Sequence, residues 1–337
     1  MNKILVVNVN WMGDVIFSVP VFKALKKAYP QATISCLAVP RVKEILESNS
    51  YVDEIIIYDE EGHHRSPWAK FKLISQLRAE KFDIAFLLHR SWTRALLVFL
   101  SGIPQRVGYD TKGRGLFLTH KVKPIPGQVH RSDHYLRVVE SYGIKVEDHS
   151  CDLVVSAEMQ KEMKRILMEQ GIGSDDFLVV VHFAGNWDLK RWPKENFAKL
   201  IERLHKDMAA KVVLPGSAKE IELAKEIVDL SQVKPVILAG QTSLKLLAAL
   251  LRRADLVISA DSGPLHLANS VGTDVIGLFG PTRPEVTGLR GRGKAVYLQK
   301  DVGCNKEPCY NLDCPDNICM RAIKVDEVIN GIKQIRH

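Results

Sequence analysis

Two short stretches in the second half of the chain combine glycine, proline, hydroxyl and charged residues in a pattern that suits phosphate binding. Residues 259–266 read Ser-Ala-Asp-Ser-Gly-Pro-Leu-His and follow an apolar run typical of a buried parallel strand. Residues 277–284 read Gly-Leu-Phe-Gly-Pro-Thr-Arg-Pro and continue a second such run. A glycine lets a ligand approach the backbone, and the first turn of a helix offers free amides. The stretches therefore predict either a seat for the phosphates of a nucleotide-linked donor or two ordinary strand-to-helix turns.

Several side chains in these stretches have more than one role open to them. Asp261 or Ser262 could cap the following helix, and Gly263 would leave room for a ligand beside it. Thr282 and Arg283 could donate hydrogen bonds to a phosphate.

Three charged residues follow other predicted strands, where open α/β sheets place their reacting groups. Asp14 lies on a glycine turn after the first strand, and its carboxylate could accept a proton from a substrate hydroxyl. Asp14 could instead cap the first helix, and the residues alone favour the cap. Lys190 could neutralise a diphosphate or be a solvated surface charge, and its place after a strand favours the first role. Glu220 could bind a ribose, but taken alone it better fits an acid in a first helical turn.

Four of the six cysteines recur every five residues in a loop over residues 304–319. They are Cys304, Cys309, Cys314 and Cys319. Four thiols this close could hold zinc or an iron–sulfur cluster, form two disulfides, or remain structural thiols. The spacing lacks the usual paired Cys-x-x-Cys of metal sites, and a cytoplasmic location disfavours stable disulfides. Cys36 and Cys151 lie in apolar runs and are predicted to be core residues.

Two familiar phosphate and metal motifs are incomplete in this chain. Residues 288–295 follow the spacing of a phosphate loop, but Ala295 stands where serine or threonine would hold magnesium. The chain also contains no Asp-x-Asp pair, so a two-carboxylate metal site is unsupported. Cationic side chains and helix dipoles would then have to stabilise a departing phosphate.

The pattern of apolar runs predicts an α/β protein with two doubly wound parallel sheets. One series of strands and helices occupies the first half, with residues 103–115 as a loop and 151–155 as a short strand. Residues 171–176 are glycine-rich and predict a linker, which divides the chain into domains 1–172 and 173–337. A helix over 325–335 closes the second series. The two domains are expected to face each other across a cleft.

The charge and hydropathy of the whole chain limit the classes of partner and the cellular location that we expect. The chain has 337 residues and a formal charge of +8, which favours an anionic partner. The basic residues are dispersed and no nucleic-acid-binding motif is present, so nucleic acid is the least expected partner. No run reaches the roughly 18 apolar residues of a spanning helix, and the first apolar run is too short for a signal peptide. We therefore expect a cytoplasmic protein whose membrane association, if any, is peripheral.

Taken together, the motifs resemble glycosyltransferase family 9, the ADP-heptose:lipopolysaccharide heptosyltransferases, most of all the heptosyltransferase II branch. The resemblance covers essentially the whole chain and is carried by six segments in order. They are residues 11–14, 102–109, 190–193, 216–220, 261–266 and 278–282. It implies the GT-B fold and an inverting, metal-independent transfer that requires no cofactor. A structural zinc or iron–sulfur group at the cysteine loop is left open.

The resemblance also implies roles for single residues. Asp14 becomes the general base, Lys190 the cation at the donor phosphate, and Glu220 the ribose ligand. The other donor-binding residues implied are Gly13, Asn186, Thr242, Asp261, Ser262, Gly263, His266 and Thr282. The acceptor-binding residues Arg90, Lys112 and Arg114 are assigned from charge and location only.

The expected function is transfer of heptose from ADP-heptose to an anionic lipopolysaccharide core at the cytoplasmic face of the inner membrane. One alternative is a related GT-B sugar-nucleotide enzyme with another donor or acceptor. The other is a non-catalytic protein that binds a nucleotide sugar or a metal through its four-cysteine loop.

Overall fold

The computed structural model of the chain describes residues 1–185, 187–304, 309 and 314–336. The chain forms two compact units, Met1–Leu153 and Val154–His337. Each unit is built on its own six-stranded sheet, and every recorded strand pairing is parallel. Parallel strands must be joined by crossovers, which the helices provide.

The sheet of the first unit has the strand order β3-β2-β1-β4-β5-β6. Its strands are β1 (Lys3–Val7), β2 (Thr33–Ala38), β3 (Glu54–Ile57), β4 (Ile84–Leu87), β5 (Gln105–Tyr109) and β6 (His120–Val122). Its helices are α1 (Met12–Phe17), α2 (Val19–Ala28), α3 (Lys43–Glu47), α4 (Pro67–Ala79), α5 (Trp92–Leu100) and α6 (Arg131–Glu140). The central strands β1 and β4 are almost entirely apolar because both of their faces are covered by helices.

The sheet of the second unit has the strand order β12-β11-β10-β7-β8-β9. Its strands are β7 (Leu178–His182), β8 (Lys211–Leu214), β9 (Val236–Ile237), β10 (Leu256–Ala260), β11 (Val275–Phe279) and β12 (Ala295–Gln299). Its longer helices are α7 (Ala157–Glu169), α8 (Lys194–Met208), α9 (Ile221–Asp229), α10 (Leu244–Arg253), α11 (Gly263–Ser270) and α14 (Val325–Arg336). Its short helices are α12 (Pro284–Thr287) and α13 (Ile318–Ala322).

Two predicted local elements are wrong. Residues 103–115, predicted as a loop, contain β5, which pairs with β4 and β6. Its sequence, Gln-Arg-Val-Gly-Tyr, carries too few apolar residues to stand out, and its neighbours in the sheet supply the missing burial. Residues 151–155, predicted as a strand, pair with no described strand, although Cys151 and Leu153 are buried.

The boundary between the units also differs from the predicted one at residue 172. Helix α7 belongs to the second unit, where it packs against α10. Residues 171–176 therefore lie inside this unit rather than between the two. The guanidinium of Arg253 donates hydrogen bonds to the backbone oxygens of Gly173 and Ser174 at 2.9 and 2.8 Å and so fixes the turn.

The glycines of residues 288–295 serve packing against the chain itself. A Cβ at Gly293 would lie 1.9 Å from the backbone oxygen of Thr273, and one at Gly291 would lie 2.2 Å from that of Asn269. This accords with the interpretation of the stretch as a false phosphate loop. Among the described residues, no helix has both the length and the apolar character needed to cross a bilayer.

Candidate functional site

The predicted phosphate seat lies where β10 ends and α11 begins. Asp261 and Ser262 follow the last strand residue directly, and Gly263 opens the helix. Ser262 occupies the cap position, but its side chain makes no capping hydrogen bond, so the predicted side-chain cap is wrong. The amides of the first turn of α11 are left without a side-chain acceptor from this cap, which suits an incoming anion.

Asp261 is the centre of a buried network of charged and polar groups. Its carboxylate lies 2.7 Å from the Nζ of Lys190 and 3.0 Å from the Nε2 of His266, and it accepts a hydrogen bond from the Oγ1 of Thr287 at 3.2 Å. The side chain of Asp261 is only 3% exposed. Burial alone would raise the pKa of the carboxyl group, but the hydrogen bond from His266 and the charge of Lys190 outweigh it and hold the pKa well below its usual range. Asp261 is therefore a fixed anion.

Lys190 reaches this network from the segment that follows β7, the strand next to β10 in the sheet. It closes a short 3₁₀ helix, Asp188–Lys190, in the connection between β7 and α8. Its Nζ also donates a hydrogen bond to the backbone oxygen of Asp261 at 3.0 Å. The ammonium group has three protons, and Asp261 accepts two hydrogen bonds from it. Since Lys190 remains 20% exposed, a third donor direction is open to a ligand anion.

His182 belongs to the same cluster, although it was not among the site residues predicted from the sequence. It ends β7 opposite Ser259 of β10, and its Nδ1 lies 3.1 Å from the Oγ of Ser259 and 3.4 Å from that of Ser262. Burial lowers the pKa of His182 to about 4, against a small opposing effect of Glu220. The imidazole is therefore neutral at physiological pH. The sequence does contain a signal for His182, because it is the one polar residue in β7 and lies at the end of that strand.

Glu220 has the local role that the residues alone favoured. Its Oε2 accepts a hydrogen bond from the backbone amide of Ser217 at 2.6 Å, and the side chain of Ser217 accepts one from the backbone of Glu220. This reciprocal capping box opens the 3₁₀ helix Ala218–Glu220 ahead of α9.

The remaining donor-site candidates of the second unit differ in their surroundings. Thr282 is buried, and its Oγ1 has no hydrogen-bond partner among the residues that the structure describes. An unsatisfied buried hydroxyl is costly, so this atom is well suited to receive a ligand. Thr242 is half-buried, directly before Ser243, which caps α10. Arg283 occupies the cap position of α12. Asn186 lies outside the described residues.

In the first unit, Asp14 lies in the first turn of α1 and is not its cap. The cap position is held by Trp11, so the capping role that the residues alone favoured is wrong. The Oδ1 of Asp14 accepts a hydrogen bond of 2.7 Å from the hydroxyl of Tyr135 on α6. Burial, with the charge and hydrogen bond of Asp14, raises the pKa of Tyr135 well above its usual value, so Tyr135 stays a donor. Gly13 precedes Asp14 in the same half-buried turn.

The three basic residues assigned to the acceptor fall into two classes. Arg114 is fully buried and donates hydrogen bonds to the backbone oxygens of Tyr109, at 2.7 Å, and of His89. It therefore supports the turn after β5, and its assignment to the acceptor stays a prediction. Arg90 is exposed, with its Nη2 2.6 Å from the Nε2 of His134. Lys112 is exposed on the same turn as Arg114 and has a φ of 55°.

The four cysteines of the loop all line one small cavity of about 30 Å³ beside Gly280 and Pro281. The backbone amide of Cys309 donates a hydrogen bond to the backbone oxygen of Pro281 at 2.7 Å, so the loop contacts the turn after β11. None of the six cysteines, all of which are among the residues that the structure describes, is in a disulfide. Among the described residues, no group of three or more histidine, cysteine or acidic side chains is arranged to hold a metal ion.

Comparison with known proteins gives these features a context. The family described as glycosyltransferase family 9 (heptosyltransferase) matches residues 70–314. Lipopolysaccharide heptosyltransferase 3 of Escherichia coli K12 is 31% identical over 279 residues, which is 80% of this chain and 80% of that protein.

Two solved structures share the fold over almost their whole length. A glycosyltransferase of family 9 from Veillonella parvula has a TM-score of 0.87 and 24% identity, covering 99% of this chain and 97% of that one. The ADP-heptose heptosyltransferase II of E. coli has a TM-score of 0.81 and 23% identity, covering 99% and 98%. The predicted GT-B fold, with two parallel α/β sheets, is thereby confirmed.

Proposed function

This chain belongs to glycosyltransferase family 9, and from that premise we propose that it transfers heptose from ADP-heptose to a sugar of the lipopolysaccharide inner core. The observation that carries the proposal is the network of Lys190, Asp261 and His266 at the start of α11. It places a held cation beside a helix N-terminus, which together suit a diphosphate. The second unit is therefore proposed to bind the nucleotide sugar.

The donor diphosphate would be bound by groups from three strand ends. The backbone amides of Gly263 and Leu265 would donate to the anion (Pro264 between them has no N–H), Lys190 supplies the positive charge, and Thr282 offers its buried hydroxyl. In the transfer step, charge develops on the departing ADP, and these donors are positioned to stabilise it without a metal ion. Asp261 fixes the position of Lys190 and is not itself expected to contact the phosphates, because like charges repel.

Asp14 of the first unit is proposed to be the general base. Its carboxylate takes the proton of the acceptor hydroxyl while the acceptor oxygen forms a bond to the anomeric carbon and the bond to ADP breaks. A single displacement of this kind inverts the anomeric configuration. Tyr135 holds one carboxylate oxygen by its hydrogen bond, which leaves the other oxygen for the acceptor. Arg90 and Lys112 are the proposed contacts to the anionic acceptor, because both are exposed.

The proposal also covers the cellular location of the enzyme and its need for a metal ion. The enzyme would act in the cytoplasm, at the inner face of the membrane that carries its acceptor, and would need no cofactor for transfer. A structural zinc or iron–sulfur group at the four cysteines stays a prediction. Metal analysis of the purified protein tests it, because one equivalent of metal per chain supports such a group and a metal-free active protein contradicts it.

The experiment that tests the function is product analysis with a chelator present. We expect ADP-heptose and a deacylated inner-core acceptor to yield ADP and an acceptor heavier by one heptose, with inverted configuration. Donor turnover that needs no acceptor would indicate a different reaction on the same fold. Absence of any turnover, together with absence of ADP binding, would contradict an enzymatic role.

A further inference from the structure

Helix α4 of the first unit exposes two large aromatic side chains. Trp68 and Phe71 are 68% and 56% exposed, and their rings stack with centroids 5.8 Å apart. The opposite side of the helix buries Leu73 and Leu77 in the core of the unit. More than half of the surface of Trp68 and Phe71 therefore lies outside the core, and its exposure costs solvation free energy unless another surface covers it.

A second apolar group lies on α5 and the 3₁₀ turn that follows β5. Trp92 and Phe99 are 46% and 43% exposed, and both rings contact Phe117, at centroid distances of 5.1 and 5.5 Å. Leu116, on the same turn, is 83% exposed. These side chains cover a continuous strip along α5.

Both groups belong to one side of the first unit. Helices α4 and α5 bury their inner residues in the same core, against the same face of the sheet. Each helix follows a parallel strand, so Trp68 and Trp92, in the first turns, lie toward the carboxyl edge of the sheet. Asp14 also follows the carboxyl end of its strand. We call these exposed side chains the aromatic face: Trp68, Phe71, Trp92, Phe99 and Leu116.

The charge around the aromatic face is predominantly positive. Residues 62–79 contain four lysines or arginines and two histidines but no acidic residue. On the α5 side, Lys112 is exposed and the guanidinium of Arg106 lies 5.3 Å from the ring of Phe99.

The acids nearest to this segment have partners of their own. Asp59 accepts hydrogen bonds from the backbone amides of Gly62 and His63. Glu60 pairs with Arg94 at 2.8 Å, Glu61 with Arg41 at 3.8 Å and Glu80 with Lys3 at 2.7 Å. On the α5 side, the exposed Asp110 lies 3.9 Å from Lys121.

We propose that the aromatic face is the surface by which the first unit binds an anionic phospholipid bilayer. Tryptophan and phenylalanine partition into the boundary between headgroups and acyl chains, while surrounding lysines and arginines attract anionic headgroups. Arg65, for which the proposed chemistry has no use, is one of these surrounding cations, whereas burial lowers the pKa of the neighbouring His64 and keeps its ring neutral. A symmetric contact with a second copy fits less well, because it would set the same cations against each other.

The inference rests on the proposed function for one point only, namely the reason why the protein would bind a bilayer. An enzyme with a lipid-linked acceptor gains from binding the surface that carries it. Binding to vesicles is measured without donor, acceptor or turnover. If the protein does not bind vesicles, the proposed transfer reaction is not thereby contradicted. If the protein does not transfer heptose, the proposed membrane surface is not thereby contradicted.

Vesicle sedimentation of the full chain tests the proposal. We expect binding to phosphatidylcholine vesicles that contain phosphatidylglycerol, weak binding to phosphatidylcholine alone, and weakening at high salt. Lys70→Gln with Lys72→Gln should lower the partition coefficient about fivefold for each lysine removed. Trp68→Ser with Phe71→Ser should lower it by about tenfold or more, because both rings lose their place in the interface.

Two matched double variants on the second unit serve as controls. Met168→Ser with Leu230→Ser removes two exposed apolar side chains, and Lys199→Gln with Lys206→Gln removes two exposed lysines. Both should bind vesicles like the parent, and unchanged thermal unfolding should show that all the variants fold.

Three results would overturn the proposal. They are no binding of the parent to anionic vesicles, equal losses in the controls, or a dimer that Trp68→Ser with Phe71→Ser dissociates while vesicle binding is kept. The last result would make the face a subunit contact.

Discussion

At the scale of single residues, the candidate donor site depends on one buried anion. Asp261 is held ionised by His266 and Lys190, and in return it fixes the ammonium group of Lys190 beside the start of α11. A lysine on a flexible stem would otherwise lose side-chain entropy when it bound a phosphate. The pair of Lys190 and Asp261 therefore holds a cation in place before the ligand binds. The free amides at the start of α11 would donate to the same phosphate.

Replacing Lys190 by alanine should weaken ADP binding and destabilise the second unit. We expect the Kd of ADP to rise about tenfold or more, because a charge-assisted hydrogen bond is lost. We also expect a loss of about 3 kcal/mol in the free energy of unfolding, because Asp261 is left buried without its cation. Calorimetric titration and denaturant unfolding measure the two effects.

The matched control is Lys194→Ala, which removes an exposed lysine that pairs with Glu226 at 2.9 Å. It should change neither quantity appreciably. If Lys190→Ala lost stability but bound ADP like the parent, Lys190 would be only the structural partner of Asp261.

Some of the site residues could be predicted from the sequence, and others could not. Asp14, Lys190 and Asp261 follow apolar strands, so their position at the sheet edge was predictable. Tyr135 lies inside an amphipathic helix far along the chain, and only the packing of α6 brings its hydroxyl to Asp14. The burial of Arg114 was equally hidden, since a basic residue in a glycine-rich turn reads as exposed.

At the scale of elements, the apolar runs were sufficient for most of both sheets. Central strands such as β4 and β7 are buried on both faces and are therefore apolar throughout, apart from His182 at the end of β7. Strands β5 and β6 could not be found in this way, because β6 has only one buried residue, Val122. Their place in the sheet depends on pairing with β4, which is a long-range contact that local patterns do not encode.

Four of the described α-helices begin with a serine that caps the helix, whereas Ser18 at the start of α2 makes no side-chain capping bond. Ser66, Ser91, Ser156 and Ser243 each accept a backbone hydrogen bond at the start of a helix. Helix α11 is different, because Ser262 turns its hydroxyl to within 2.9 Å of the Oγ of Ser259 instead. A helix start that forgoes its own cap is the local irregularity expected of a binding site.

At the scale of the whole molecule, the α/β class and the two-part organisation follow from the alternation of elements, but the boundary does not. The glycine-rich stretch 171–176 resembles a linker, yet α7 before it packs on α10 and joins the second unit. The amino-acid composition of a segment indicates its local flexibility, whereas the boundary of a structural unit depends on which helices and strands pack together.

Buried neutral histidines in both units should make the protein sensitive to mild acid. Burial lowers the pKa values of His89, His134 and His182 to about 4. The unfolded chain takes up these protons near pH 6.5, whereas the folded chain does so only near pH 4. Stability is therefore complete above about pH 6.5 and falls as the pH drops toward 4.

Denaturant unfolding between pH 7.5 and pH 4.5 measures this effect, to which His182, the most buried of the three, would contribute up to about 3 kcal/mol. His182→Asn should make the stability of the second unit less dependent on pH than in the parent. A parent with equal stability across this range would contradict the assignment of neutral buried histidines.

The proposed mechanism is tested most directly by the turnover of Asp14→Asn, with its ADP affinity measured on the same sample. We expect kcat to fall about a thousandfold or more, since the amide cannot accept the acceptor proton, while ADP binds as in the parent. The control Asp175→Asn, an exposed acid of the second unit, should keep full turnover. Near-normal turnover of Asp14→Asn would contradict the proposed mechanism, because Asp14 would then not be the base.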